Sequence, residues 1–174
     1  GLASLVLAGV LPAAQAQVMS KVDYKAGKDR ISTAYKADKA ACASLAANAK
    51  DICVEEAKGK EKVAKADLEY TYTRKATDRT KAQVAKAEAA YAVAKERCDD
   101  LAGNPKDVCV KEAKAIEVGA LADARMGKEI GQARRDAATD KLDADYKVAI
   151  EKCDALAGDV KASCVTAAKS SFGK

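Results

Sequence analysis

Six cysteines are the residues of this 174-residue chain whose type and spacing could carry chemistry. They lie in three twelve-residue units: CASLAANAKDIC at 42–53, CDDLAGNPKDVC at 98–109 and CDALAGDVKASC at 153–164. Each unit opens and closes on Cys, with Leu-Ala at its fourth and fifth positions and Lys at its ninth. Three chemistries compete for such a pair. Zinc sites place Cys or His about two to four residues apart, whereas ten residues separate these cysteines and the chain has no His. A redox-active pair has the form C-x-x-C, which is absent here. Structural disulfides remain, and the repeat selects Cys42–Cys53, Cys98–Cys109 and Cys153–Cys164. On the chain-entropy view each short loop contributes about 2–3 kcal/mol.

A bridge of this spacing needs two helices folded back at a corner midway between the sulfurs. In the second unit Gly103 suits a left-handed position, Asn104 an N-cap and Pro105 the first helical position. The first unit offers Ala47 and Asn48 in the same places, and the third Gly158 and Asp159. One helix therefore stops and another starts within a few residues, which makes antiparallel neighbours. Small residues such as Ala43, Ala46, Ala49 and Ala102 let the two backbones approach.

Little other chemistry is on offer. Without His the commonest general base and metal ligand is missing, and no phosphate loop, nucleophile elbow or zincin motif occurs. The adjacent carboxylates Glu55 and Glu56, and Asp99 and Asp100, point to different helix faces and read as solvated charges. Glu56–Lys60 and Glu61–Lys65 read as ordinary pairs one turn apart. No catalytic residue, metal site or cofactor is expected. Tyr35, Tyr91 and Tyr146, each seven residues before a first cysteine, are expected in the core. Tyr72 lies off the main stripe and is expected to be exposed.

Hydrophobic types make up 49% of the chain but aromatics only 4%. Most of the apolar content is Ala, which favours helix and close packing but buries little area. A slender helical assembly fits this better than a large core. Charged residues make up 33%, with the signs interspersed and a net charge of +5. Nucleic-acid binding wants a strong basic stripe, so it is not expected. Residues 2–14 are almost wholly apolar and run into Ala14-Gln15-Ala16, an A-x-A cleavage pattern. That run is too short for a membrane span. Residues 1–16 therefore read as the remainder of a secretory signal peptide, with a mature chain from Gln17 and no transmembrane segment. A buried N-terminal helix is the rival reading. Disulfides persist outside the cytosol, so a periplasmic or secreted protein is expected.

The expected fold is all-α: elongated antiparallel helical hairpins, a coiled-coil-like bundle, forming a single domain over residues 17–174. The first helix covers 20–46. The second runs from Asn48 to the corner at Gly103, carrying Val63, Tyr70, Val84 and Tyr91 on one stripe with a repeat near 3.5 residues. Its middle, 71–80, is weakened by threonines. The third covers 104–157 with a weak centre at Gly119, Gly127 and Gly131, and the fourth covers 160–170, with Phe172 packing it down. Either the rod is loose at mid-height or both long helices break there. The unbroken version puts the first and third disulfides in a three- to four-helix bundle at one end and Cys98–Cys109 at a bare two-helix tip. The units belong to a longer repeat of 55–56 residues, which Tyr35, Tyr91 and Tyr146 also mark. Duplication favours architecture over catalysis.

The phrases YKADKAAC, CDDLAGNPKDVCVKEAK and EKCDALAGD resemble small exported bacterial proteins labelled TolA-like or cell envelope biogenesis proteins. That resemblance implies an Ala/Lys-rich helical protein of the envelope, with no functional residue to carry over. The function expected is a non-enzymatic structural or protein-interaction element with an envelope protein as partner. A periplasmic holdase chaperone is the alternative. Ala-rich stripes on the long hairpin make a homodimer a further expectation.

Overall fold

The computed structural model describes residues 18–174, so the expected signal segment, 1–16, lies outside the described residues. The rest is all-α: α1 Lys21–Ala41, α2 Ala47–Thr73, α3 Ala76–Cys98, α4 Gly103–Asp154 and α5 Gly158–Phe172. Alanine, lysine and glutamate supply the helix propensity. Ser20 caps α1 by accepting the Asp23 N–H at 3.0 Å, with an acidic residue in the first turn.

Successive helices run antiparallel, and among the described residues each packs only against its neighbours in the chain. The result is a single layer of hairpins with no enclosed centre. Its buried apolar residues are small: Ala57, Ala82, Ala85, Ala87, Ala113, Ala124 and Ala168, with Cys42, Cys98 and Cys153. Close approach replaces bulk. A Cβ on Gly27 would stand 2.8 Å from a Leu68 methyl, and one on Gly59 would stand 3.1 Å from the Ala89 Cβ.

The sequence left a mid-rod break open, and only one of the two long helices breaks. α2 ends at Thr73, Arg74 adopts a left-handed conformation with φ 55°, and α3 begins at Ala76. Threonine is a weak helix former, and here the Thr73 hydroxyl bonds to residues beyond the helix end. Its Oγ1 donates to Asp78 at 2.7 Å and accepts the Lys75 N–H at 3.2 Å. The glycines of the other weak centre stay helical, and α4 runs through them for 52 residues, about 78 Å of helix.

This break overturns the expected arrangement of the corners. It turns the chain back, so the Cys98–Cys109 corner is not a bare far tip. It stands beside the Cys42–Cys53 corner, where Asn48 of α2 bonds to Glu96 of α3. The third corner lies alone at the end of α4, and among the described residues no three- to four-helix bundle forms there, because α5 packs only on α4. The first helix also stops short of 46. It ends at Ala41, a short 3-10 turn follows at Cys42–Ser44, and Leu45 and Ala46 are extended.

Candidate functional site

Three stapled corners recur with one backbone pattern. The incoming helix ends near the first cysteine, and an alanine in extended conformation follows: Ala46, Ala102 and Ala157. Next comes a left-handed residue, Ala47 with φ 49°, Gly103 with φ 60° or Gly158 with φ 54°. The outgoing helix then starts, and the second cysteine meets the first with Cα atoms 5.6, 5.7 and 5.6 Å apart in Cys42–Cys53, Cys98–Cys109 and Cys153–Cys164. Glycine takes the left-handed conformation freely, whereas Ala47 holds it at a cost.

The capping roles expected of Asn48, Asn104 and Asp159 are not what the structure holds. The left-handed residue already opens the first turn, and no side chain caps α2, α4 or α5 at the N-terminus. The Asn48 amide instead donates to the Glu96 carbonyl oxygen at 2.9 Å. Asp159 lies in the first turn of α5, where its charge faces the positive end of the helix dipole. Two of the three ninth-position lysines have a use the spacing alone did not reveal. Lys106 pairs with Asp99 at 2.8 Å and Lys161 with Asp154 at 3.0 Å, each across its corner. The Asp99 carboxylate beside Lys106 raises the lysine above its ordinary range.

Between α2 and α3 lies an open, mainly apolar groove of ≈ 440 Å³ lined by Gly59, Val63, Ala89 and Val93, with Glu56, Lys60 and Arg97 at its rim. Three ion pairs tie the same two helices: Glu56 with Arg97 at 2.8 Å, Asp67 with Lys86 at 3.0 Å, and Lys62 with Glu88. Glu61–Lys65 forms within its helix as expected, at 2.7 Å. Glu56–Lys60 does not, because Glu56 reaches Arg97 and Lys60 reaches Asp38 of α1 at 3.4 Å. Those cross-helix partners were legible only with the break at Arg74 in hand, which brings opposite charges together in antiparallel order.

The tyrosines differ from expectation. Tyr72 is not free on the surface. It stacks on Tyr24 at 4.4 Å, and the Tyr24 hydroxyl donates to Glu69. Tyr35, Tyr91 and Tyr146 are half-buried, not core, because a single layer has no interior to take a whole ring. Lysine ammonium groups lie over them instead: Lys39 at 6.0 Å, Lys114 at 4.9 Å and Lys174 at 6.0 Å from the respective ring centres. Phe172 packs edge-on against Tyr146 at 5.8 Å and closes α5 onto α4.

The electrostatics are those of clasps. The hydrogen bond to Glu69 raises Tyr24, and the pairs with Glu55, Asp78 and Glu117 raise Lys58, Lys81 and Lys114. Lys81 and Thr73 lower Asp78, and Lys174 lowers Asp143. Each shift carries its group away from neutral pH, the reverse of what a general acid or base needs. Among the described residues no group of His, Cys, Asp and Glu is arranged to hold a metal ion, and no helix is long and apolar enough to cross a membrane. Three disulfides with no free cysteine are consistent with an oxidising compartment. No family model, no curated protein and no solved structure matches this chain.

Proposed function

We propose that this chain is a non-enzymatic structural or adaptor element of the bacterial cell envelope, working in the periplasm, where its helical layer presents a surface to a folded envelope protein. One observation carries the reading: what the chain repeats three times is a stapled corner, not a reactive group. Because each helix packs only on its neighbours, both faces of the layer stay open to a partner. The α2–α3 groove, apolar within and charged at its rim, is one part of that surface.

The test is mild cross-linking of the oxidised protein in periplasmic extract, followed by native capture and mass spectrometry. One or two folded envelope proteins in fixed ratio support the adaptor. A spread of unfolded outer-membrane precursors contradicts it and supports the second reading, a holdase chaperone. That reading draws on the exposed Ile116, Val118, Met126 and Ile130 along α4. Suppressed aggregation of a denatured outer-membrane protein would favour the holdase, and inactivity at excess would end it.

A further inference from the structure

The repeat leaves one pair of matching helix faces unused. Counting from the cysteines, the 103–129 part of α4 corresponds to α2, and the 131–153 part corresponds to α3. α2 and α3 pack face to face because the chain breaks between them at Arg74. The counterpart of that break in the next repeat, one residue shorter, is Ile130, where α4 runs straight through. The two halves of α4 therefore point away from each other and cannot meet within one chain.

The contacts that hold α2 to α3 nevertheless have counterparts on α4. Asp67, fourteen residues after Cys53, corresponds to Asp123, fourteen after Cys109. Its partner Lys86, twelve before Cys98, corresponds to Lys141, twelve before Cys153. Glu56 and Arg97 correspond to Glu112 and Lys152, with both charges kept. Asn48, which bonds the Glu96 carbonyl oxygen, corresponds to Asn104, and Glu96 to Glu151. The close approach of Gly59 to Ala89 becomes Ala115 and Ala144, both small. One contact is not kept: Lys62 and Glu88 become Val118 and Asp143, and Asp143 is held by Lys174. Among the described residues Asp123, Lys141, Glu112 and Lys152 make no ion pair. Apolar side chains on these faces are open to water, Val118 at 51%, Met126 at 53% and Val148 at 54% exposed.

We propose that α4 is the interface of a dimer with a second copy of this chain. The two α4 helices cross antiparallel about a two-fold axis near Gly131, so that 103–129 of each copy packs on 131–153 of the other as α2 packs on α3. A two-fold axis makes this contact twice. Each copy supplies Asp123 and Glu112 to its partner's Lys141 and Lys152. The α4–α5 hairpin thereby gains the neighbour that the unbroken helix denies it within its own chain, as in a domain-swapped pair.

Sedimentation equilibrium of the oxidised full chain tests this, with Asp123→Lys, Lys141→Asp and the double variant that exchanges the two charges. A mass twice the 18.1 kDa of the chain is expected. Each single variant is expected to weaken the dimer about tenfold or more, since like charges then meet at two symmetric places, and the double variant is expected to restore it. Val148→Asp is expected to abolish the dimer with helicity unchanged. A wild-type chain that stays at monomer mass up to about 100 μM overturns the proposal, since affinity weaker than this is only about 5 kcal/mol. A dimer indifferent to all these variants overturns it equally, placing the interface elsewhere. A monomer whose compactness alone responds to the charge exchange means that α4 breaks and closes on itself, and excludes the second copy.

Discussion

The Asn48 side-chain amide donates to the Glu96 carbonyl oxygen at 2.9 Å, and so joins the first disulfide corner to the second. Forty-eight residues separate the two, and the chain closes that distance by turning back at Arg74. Asn48→Ala is expected to lower stability by about 0.5–1.5 kcal/mol in urea unfolding of the oxidised protein. Asn48→Asp separates this role from capping. Aspartate caps helices as well as asparagine but has no N–H to donate, so it is expected to destabilise at least as much as alanine.

Left-handed corners give substitutions of opposite sign. Ala47 adopts φ 49° without being glycine, whereas Gly103 and Gly158 adopt 60° and 54°. Ala47→Gly is expected to stabilise by about 0.5–1 kcal/mol, and Gly103→Ala or Gly158→Ala to destabilise by about 1–2 kcal/mol. Thermal unfolding of the three variants under oxidising conditions checks the signs.

Disulfide removal is expected to act locally in one case and broadly in another. α5 packs only on α4, so its docking depends on Cys153–Cys164 and on Phe172 against Tyr146. In Cys153→Ala/Cys164→Ala, hydrogen exchange is expected to rise across α5 and leave α1–α3 protected. The Cys98→Ala/Cys109→Ala pair is expected to cost the α3–α4 contact about 2–3 kcal/mol and to raise exchange in both helices.

The α2–α3 turn carries an acid-sensitive clasp. Asp78 is buried, accepts from Thr73 and pairs with Lys81 at 2.9 Å. The Lys81 and Thr73 hydrogen bonds hold its carboxyl below the usual range. A folded-state value below the unfolded one stabilises the protein above the ordinary carboxylate range, and that stability is lost as pH falls through the lowered value. The melting temperature of wild type is therefore expected to fall more steeply below about pH 4 than that of Asp78→Asn. At neutral pH the variant is expected to be the less stable of the two. Parallel melting curves across that range would remove Asp78 from the clasp.

Sequence spacing carried the local build further than the long-range one. The disulfide pairing, the helical class and the left-handed Gly103 were legible because a repeat of cysteine, glycine and turn residues acts within a dozen positions. The break at Arg74 was only half legible. Threonines weakened 71–80 and glycines weakened 119–131, yet propensity alone does not say which of two weak stretches a tertiary contact will open. Thr73 and Asp78 decide it through a side-chain bond that exists only once the turn has formed. The same blind spot hid the ion partners of Glu56 and Lys60, because fixed spacing sees one helix at a time. It also sent Tyr72 to the surface, since its partner Tyr24 lies on a helix that only the folded layer brings near.

Proximity of the first two corners is the relationship on which the layered surface depends, and one cross-link reads it. Lys62 of α2 faces Glu88 of α3, two residues from Lys86, which pairs back with Asp67 of α2. In one unbroken helix Lys62 and Lys86 would lie about 36 Å apart. A short-arm lysine reagent, applied to the oxidised protein and read by mass spectrometry from the monomer band, is expected to give a strong Lys62–Lys86 link. A monomer band with lysine links only one turn apart along 50–97, and no Lys62–Lys86 link, would contradict the folded-back layer and the surface built on it.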